Sequence, residues 1–322
     1  MANLRILWNK NRDGNAVIYR IYGTDKNISI PSHIGDVPVA GLGDYCFAAF
    51  GKIPSHVHET YIGMDSRIKD YLREIGGEYL ESVSIPDRVT DMGNFVFYNC
   101  RNLKKIETGA SLTNIGSDVF MNCTNLYDII LRCSADKSTG LQQILLRTSS
   151  QIRVTFMDEG KTDAVFIYPE YFETYDEIAP AHIFGRNIEG EGFRARQCFD
   201  NGKINAVQYD GVFDKASVEE GRDVVFMMAF QRLVYPFNLN NTNRLKYEGY
   251  IKQNEEAAVK WLVSIKWLDA LERITKIGIL SAHALEAGVT EAVKEGWGEG
   301  TAFLMRLMHK SNACAKKSRY EF

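Results

Sequence analysis

The sequence predicts an α/β (α+β) solenoid of short parallel strands, closed at its start by a hairpin and followed by a mixed region and a helical-hairpin domain. Three observations lead there. The phrase NFVFYNCRNL (94–103) returns as SDVFMNCTNL (117–126), 23 residues further on, and a chain that repeats a phrase at one period is stacking copies of a unit. Apolar and polar residues alternate through LESVSI (80–85), as a short strand with one buried face requires. From residue 216 onward the apolar residues recur at helical spacing instead. These patterns divide the chain into a repeat domain with its cap (1–134), a mixed connecting region (135–215) and a helical domain (216–322).

The elements follow in chain order. NLRILW and AVIYRIY flank Asp13-Gly14, a hairpin-turn pair, and the hairpin is expected to cover the first coil's strand edge. ISIPSHIGDVPVAGLGDYCF (28–47) is a looser first copy, in which Ile30-Pro31 corresponds to Ile85-Pro86, and Leu42, Gly43 and Phe47 to Met92, Gly93 and Phe97, with five extra residues between the two groups. In MDSRIKDYLREIGGEYL (64–80), Ile68, Leu72 and Ile75 are at helical spacing before Gly76-Gly77, which predicts an inserted amphipathic helix.

The strict copies then align Leu80, Leu103 and Leu126; Val83, Ile106 and Ile129; Gly93 and Gly116; Phe97 and Phe120; Asn99 and Asn122; Cys100 and Cys123. Pro86 has no N–H for a ladder and ends its strand. Gly93 is read as a tight corner. Asn99 and Asn122 are read as pointing inward to satisfy turn backbone, with the two cysteines filling space beside them. No unit buries its apolar face alone, so stacking joins the faces into one core.

These residues resemble the bacterial leucine-rich repeats of the BspA-like type, across roughly residues 28–132, with Thr108-Gly109 standing where the pattern has Ile-Pro. The resemblance implies a parallel-stranded solenoid that binds proteins, and the best-known relatives are surface proteins. Here MANLRILWNKNRDGNAVIYRIYG has no apolar core of signal-peptide length, so the expected location is cytoplasmic, with the cell surface as the alternative if a signal sequence was removed.

After Cys133, TGLQQILLRTSS reads as a short helix and QIRVTFMDEGKTDAVFIYP as two strands turning at Asp158-Glu159-Gly160, closing the solenoid's far end. PEYFETYDEIAPAHIFGRNIEGEGFRARQCF (169–199) reads as an irregular stretch whose Tyr171, Tyr175, Phe184 and Phe193 are read as core, with a binding cluster as the alternative. A helix is expected to start from Ser217 and stop before Pro236, followed by NTNRLKYEGYIKQN. Two helix-turn-helix units come last, with turns placed at Leu268-Asp269-Ala270 and Gly300-Thr301-Ala302; they resemble degenerate ankyrin-like hairpins, without a T-P-L-H phrase.

The chemistry is sparse. At 322 residues with 45% hydrophobic and 25% charged residues, the chain has ordinary globular composition, and a net charge of −3 offers no general attraction to nucleic acid or membrane. The six cysteines form no C-x-x-C pair and the six histidines are scattered, with only His56 and His58 close together. Gly190-Glu191-Gly192 lacks the strand and third glycine of a dinucleotide loop, and Cys198 near Arg194 and Arg196 has no assigned histidine. No catalytic, cofactor or metal residues are assigned, and the expected role is a non-catalytic protein-interaction scaffold with a protein partner and no nucleic acid or membrane ligand. A surface adhesin and an enzyme with a pocket within 165–235 are the alternatives. The candidate partner-binding residues are the outward columns of the stacked strands, Ser82, Lys105, Asp128 and Ser84, Glu107, Ile130, with Tyr127 beside them; Lys105 and Asp128 are expected to be an exposed neighbouring pair and Ile130 an exposed side chain.

Overall fold

The computed structural model describes residues 3–63, 71–178 and 183–317 and comprises two compact units, Met1–Asn205 and Ala206–Phe322. The first opens with β1 (Leu4–Lys10) and β2 (Ala16–Gly23), an antiparallel hairpin. Its turn is held by the Asn11 carboxamide oxygen, which accepts the N–H of Asp13 at 3.0 Å and of Asn15 at 2.9 Å. There follow β3 (Asn27–Ser29), β4 (His33–Ile34), β5 (Val37–Leu42), β6 (His58–Ile62), β7 (Arg73–Glu74), β8 (Ser82–Ser84), β9 (Asp91–Met92), β10 (Lys105–Thr108), β11 (Asn114–Ile115) and β12 (Asp128–Leu131). Helix α1 (Leu141–Leu145) precedes β13 (Ile152–Asp158) and β14 (Lys161–Tyr168), and the unit ends with β15 (Phe172–Ile178), β16 (Ile183–Glu189), α2 (Gly192–Ala195), β17 (Phe199–Asp200) and β18 (Lys203–Ile204).

The first copy and the two full repeats each contribute a strand to each of two parallel ladders. β3, β8, β10, β12 and β13 pair in parallel, and β14 closes that sheet antiparallel to β13. β5, β9 and β11 form the second ladder, which β2 joins in parallel with β5, so the N-terminal hairpin covers this sheet. The first copy is in register with the others: Asn27 pairs with Ser82 and Gly41 with Asp91, and its five extra residues are absorbed by the β4–β5 hairpin.

The core between the ladders repeats residue by residue. Phe47, Phe97 and Phe120 stack with ring centroids 5.3 and 5.6 Å apart and planes within 7° of parallel, all three buried. Beside them the Cys100 thiol donates to the Phe47 carbonyl at 3.1 Å and the Cys123 thiol to the Phe97 carbonyl at 3.0 Å. The glycine column has a different reason from the corner expected of it. Gly93 and Gly116 do not have positive φ; a Cβ on Gly116 would lie 2.4 Å from the Gly93 backbone, so glycine is needed for coil-to-coil approach. Asn99 and Asn122 are not inward. They have φ of 60° and 64°, a left-handed conformation that asparagine tolerates better than most residues, and the Asn122 amide donates to the Asn99 carboxamide oxygen at 2.7 Å on the outside of the stack.

Other expectations need correction. Of the helix predicted over 64–80, residues 64–70 lie outside the described residues, while Arg73–Glu74 is β7, pairing with β2, and Gly77–Tyr79 is a single 3₁₀ turn. The stretch 169–199, read as irregular, contains the β15–β16 hairpin, on which Tyr175 is exposed, while Tyr171, just before β15, is buried. The side chain of Phe184 lies outside the described residues.

The second unit is helical: α3 (Ala206–Glu219), α4 (Arg222–Val234), α5 (Asn241–Gln253), α6 (Glu255–Ser264), α7 (Leu268–Ile277), α8 (Ala282–Lys294) and α9 (Gly298–Lys317). Ser217 lies in the last turn of α3, where its hydroxyl donates to the Asp214 carbonyl at 2.8 Å; it does not begin a helix. The turn residues assigned from sequence lie inside α7 and α9, and the actual turns immediately precede them. A buried polar cluster ties three helices together: Arg232 on α4 makes a two-pronged contact with Asp210 on α3 at 2.7 and 3.0 Å, and the Tyr247 hydroxyl on α5 donates to the same carboxylate at 2.7 Å. Burial and the Asp210 charge push the Tyr247 hydroxyl well above its ordinary pKa.

Two substitutions probe the stack. Phe120→Ala removes the end ring of the buried column and should cost about 3–5 kcal/mol in urea unfolding. Thr108, buried where neighbouring coils have Ile85 and Leu131, has a hydroxyl with no hydrogen-bond partner among the described residues. Thr108→Val should therefore stabilise by about 1 kcal/mol in the same assay; a loss of stability would show that the hydroxyl is satisfied.

Candidate protein-interaction surface

The parallel register puts the predicted columns together. Ser82, Lys105 and Asp128 are direct ladder neighbours, as are Ser84, Glu107 and Ile130. Both columns extend at each end, to Asn27 and Arg153 in the first and to Ser29 and Thr155 in the second. Five consecutive strands thus present outward side chains about 4.8 Å apart.

The contacts within this face differ from those expected. Asp128 is only 6% exposed and receives Arg153 Nε at 3.0 Å and Nη2 at 2.9 Å, a two-pronged pair with the next strand. Lys105 instead donates to Glu107 on its own strand at 2.8 Å. Ile130 is half-buried, while Tyr127 is 51% exposed just before β12. Ser82 donates to the Asn27 side chain at 2.7 Å.

Arg132, which the sequence reading passed over, organises the strand ends. Its Nε donates to Asp87 Oδ1 at 2.8 Å and its Nη1 to Ser84 Oγ at 3.0 Å, with a further bond to the Ile85 carbonyl, so one guanidinium from the coil after β12 reaches the end of β8. It borders a groove of about 530 Å³ with Ser29, Ser32, Ser84, Asp87 and Arg88. Arg88 donates to His33 Nε2 at 3.4 Å on the first coil. The available signal was a long basic side chain at the position immediately after a strand, which sequence alone does not distinguish from a solvated one.

Residues suspected of chemistry have structural partners. Arg196 is fully buried, and its guanidinium donates to the carbonyls of Leu145, Thr148, Ser150, Pro169 and Gly192. Burial depresses its pKa to about 10, which leaves it protonated at neutral pH. Gly192 is required by close approach, since a Cβ would lie 2.1 Å from the Pro169 carbonyl oxygen. The Cys198 thiol, buried, donates to the Arg194 carbonyl at 3.4 Å. Burial pushes the Cys123 thiol up to about 12 and, with Asp158 and Asp136 nearby, Cys133 up to about 11, so neither is a thiolate at neutral pH. Among the described residues no three of His, Cys, Asp and Glu gather as a metal site, and no described helix is long and apolar enough to cross a membrane.

A stack of 23-residue coils with a parallel ladder, an aromatic column and an asparagine–cysteine corner is a leucine-rich repeat solenoid. Residues 75–157 match the family model described as BspA type leucine rich repeat region. Among solved structures, a leucine rich cell surface protein from Faecalibacterium prausnitzii A2-165 matches at 23% identity with a TM-score of 0.28, over 48% of this chain and 35% of that one. No curated protein matches the chain.

The burial difference between the two charged column members is directly measurable. Lys105→Glu, at a half-exposed position, should cost no more than about 1 kcal/mol, because it replaces a partly exposed ion pair with Glu107 by a like-charge neighbour. Asp128→Lys should cost about 2 kcal/mol or more, because it sets a buried ammonium against Arg153. Equal effects of the two in chemical denaturation would contradict the Asp128–Arg153 assignment.

Proposed function

We propose that the protein is a non-catalytic protein-interaction scaffold whose binding surface is the outward face of the β3–β8–β10–β12–β13 ladder, including the groove beside Arg132. The observation that carries this reading is the register-locked surface of Ser82, Ser84, Lys105, Glu107 and Ile130, flanked by exposed Tyr127. A rigid sheet holds these groups at fixed spacing, which lowers the ordering cost of binding. Tyrosine at the edge of such a face supplies an amphipathic anchor of the kind that dominates protein interfaces. The repeat type supports the same reading, because stacked repeats create extended binding surfaces. A cytoplasmic scaffold and a cell-surface binder would use this face alike, and fractionation of native cells separates the two.

The test is affinity capture from the native host with the whole chain as bait, identification of retained proteins by mass spectrometry, and repetition with the Lys105→Glu/Tyr127→Ser/Ile130→Ser variant. Asp128 is left intact because it is structural. The expected result is at least a tenfold loss of retention by a variant whose thermal midpoint stays close to the parent's. Unchanged retention of the same partner would remove the sheet face from consideration.

A further inference from the structure

The second ladder carries a trench on its outer side. Its floor is bare backbone: Gly43, Gly93 and Gly116 follow buried Leu42, Met92 and Ile115 on three successive coils, and with β2 alongside they make a strip of about 14 Å across the strands. The space above the strip is about 600 Å³. At one end Tyr19 lies over the first glycine, since a Cβ on Gly43 would fall 2.4 Å from its ring carbons. At the other end Gln143 on α1 borders the trench, and the Arg147 guanidinium closes the last coil by donating to the carbonyls of Ile115 and Gly116 at 2.6 and 2.5 Å. Asp44, Asp91 and Asn114 stand along the walls, all exposed.

The chemistry left open by this lining is narrow. The N–H groups of the floor are spent on neighbouring coils: Gly43 donates to the Ile18 carbonyl at 2.7 Å, and Gly93 to Leu42 and Gly116 to Met92 at 2.8 Å. An added peptide strand binds through an open ladder, and this floor offers none. What remains is side-chain oxygen. Asp44 Oδ1 accepts the Asn94 N–H at 2.7 Å and Asp91 Oδ1 the Asn114 amide at 2.9 Å, while Asp44 Oδ2, Asn114 Oδ1 and the Gln143 amide have no hydrogen-bond partner among the described residues. No cationic side chain lines the trench, so a phosphate or other anion would meet only carboxylates. Hydroxyl groups, which donate to such oxygens and carry no charge, match the set. Half-buried Tyr19 adds an apolar ring with a polar tip.

We propose that this trench binds an extended, uncharged oligosaccharide, which lies along the coil axis with its hydroxyls donating to Asp44, Asp91 and Asn114 and one sugar ring against Tyr19. A straight floor across three coils selects an extended chain. The trench is open along its length and so takes one face of a polymer, whereas a small solute is held by a concave pocket that buries most of its surface. The site lies on the other ladder from the protein-binding face and does not depend on that reading.

Isothermal titration of the whole chain with cellohexaose, xylohexaose and mannohexaose tests the assignment, with hexalysine as the competing ligand for the two carboxylates. The expected result is that at least one of the sugars binds with a dissociation constant below about 1 mM, that Tyr19→Ala and Asn114→Ala each raise it at least tenfold, and that hexalysine does not bind. Asn114 is exposed and donates a single bond, so its variant should keep the parent's thermal midpoint even if Tyr19→Ala, which uncovers Gly43, does not. Absence of binding by all three sugars, sugar binding that both variants leave unchanged, or binding of hexalysine in place of sugar overturns the proposal. The Lys105→Glu/Tyr127→Ser/Ile130→Ser variant should bind the sugar like the parent, so a failure here leaves the sheet face as it stands.

Discussion

The repeat domain depends on one constraint: the coils satisfy their backbone in their neighbours. Phe47 N–H donates to the Val96 carbonyl at 2.8 Å, and one coil later Phe97 N–H donates to Val119 at 3.0 Å; Ala49 to Tyr98 and Asn99 to Met121 follow the same rule at 3.2 and 3.0 Å. The corner opposite the strands is thereby as tightly laddered as the strands. A buried peptide group left unpaired is costly, so the spacing between coils is fixed by hydrogen bonding before any side chain is chosen. The glycine column follows, because only glycine lets Gly116 sit on Gly93 at that spacing. The phenylalanine column follows too, since planar rings can stack at the same repeat distance.

This explains which parts of the fold were legible in the sequence. Residues placed by the stacking period were readable because the period itself is written in the chain, so Phe97, Phe120 and the register of Ser82, Lys105 and Asp128 all fell where the 23-residue offset put them. Errors arose where a residue answered to something outside the repeat. Asp128 was assigned to Lys105 because Arg153 lies on β13, after the repeat has lost its period. Asn99 was read for its hydrogen-bonding side chain when its backbone conformation was the stronger demand. The β15–β16 hairpin escaped because both of its faces are largely exposed, which removes the apolar alternation that marks a half-buried strand. In the helical unit, the Asp210–Arg232–Tyr247 cluster was invisible for a related reason: composition does not distinguish a charge buried with its partner from one in water.

The same internal pairing bears on how the sheet face can recognise anything. Lys105 is held by Glu107, Asp128 by Arg153, and Arg132 by Asp87, with Glu107 a further 3.6 Å from Arg132. Cation and carboxylate alternate across neighbouring strands, so the face projects little net field into solvent. Long-range charge steering, which needs one sign of charge gathered on one side, is a poor account of such a surface. Exposed ion pairs also contribute little energy of their own. What they do is fix side-chain positions. A partner would meet a stiff lattice of satisfied polar groups with Tyr127 and Ile130 as its apolar relief, and selection would come from shape and from whether the partner's polar atoms fall opposite that lattice. A partner out of step with the strand spacing would leave its own donors and acceptors unmatched against this lattice, and the cost of burying those would exclude it.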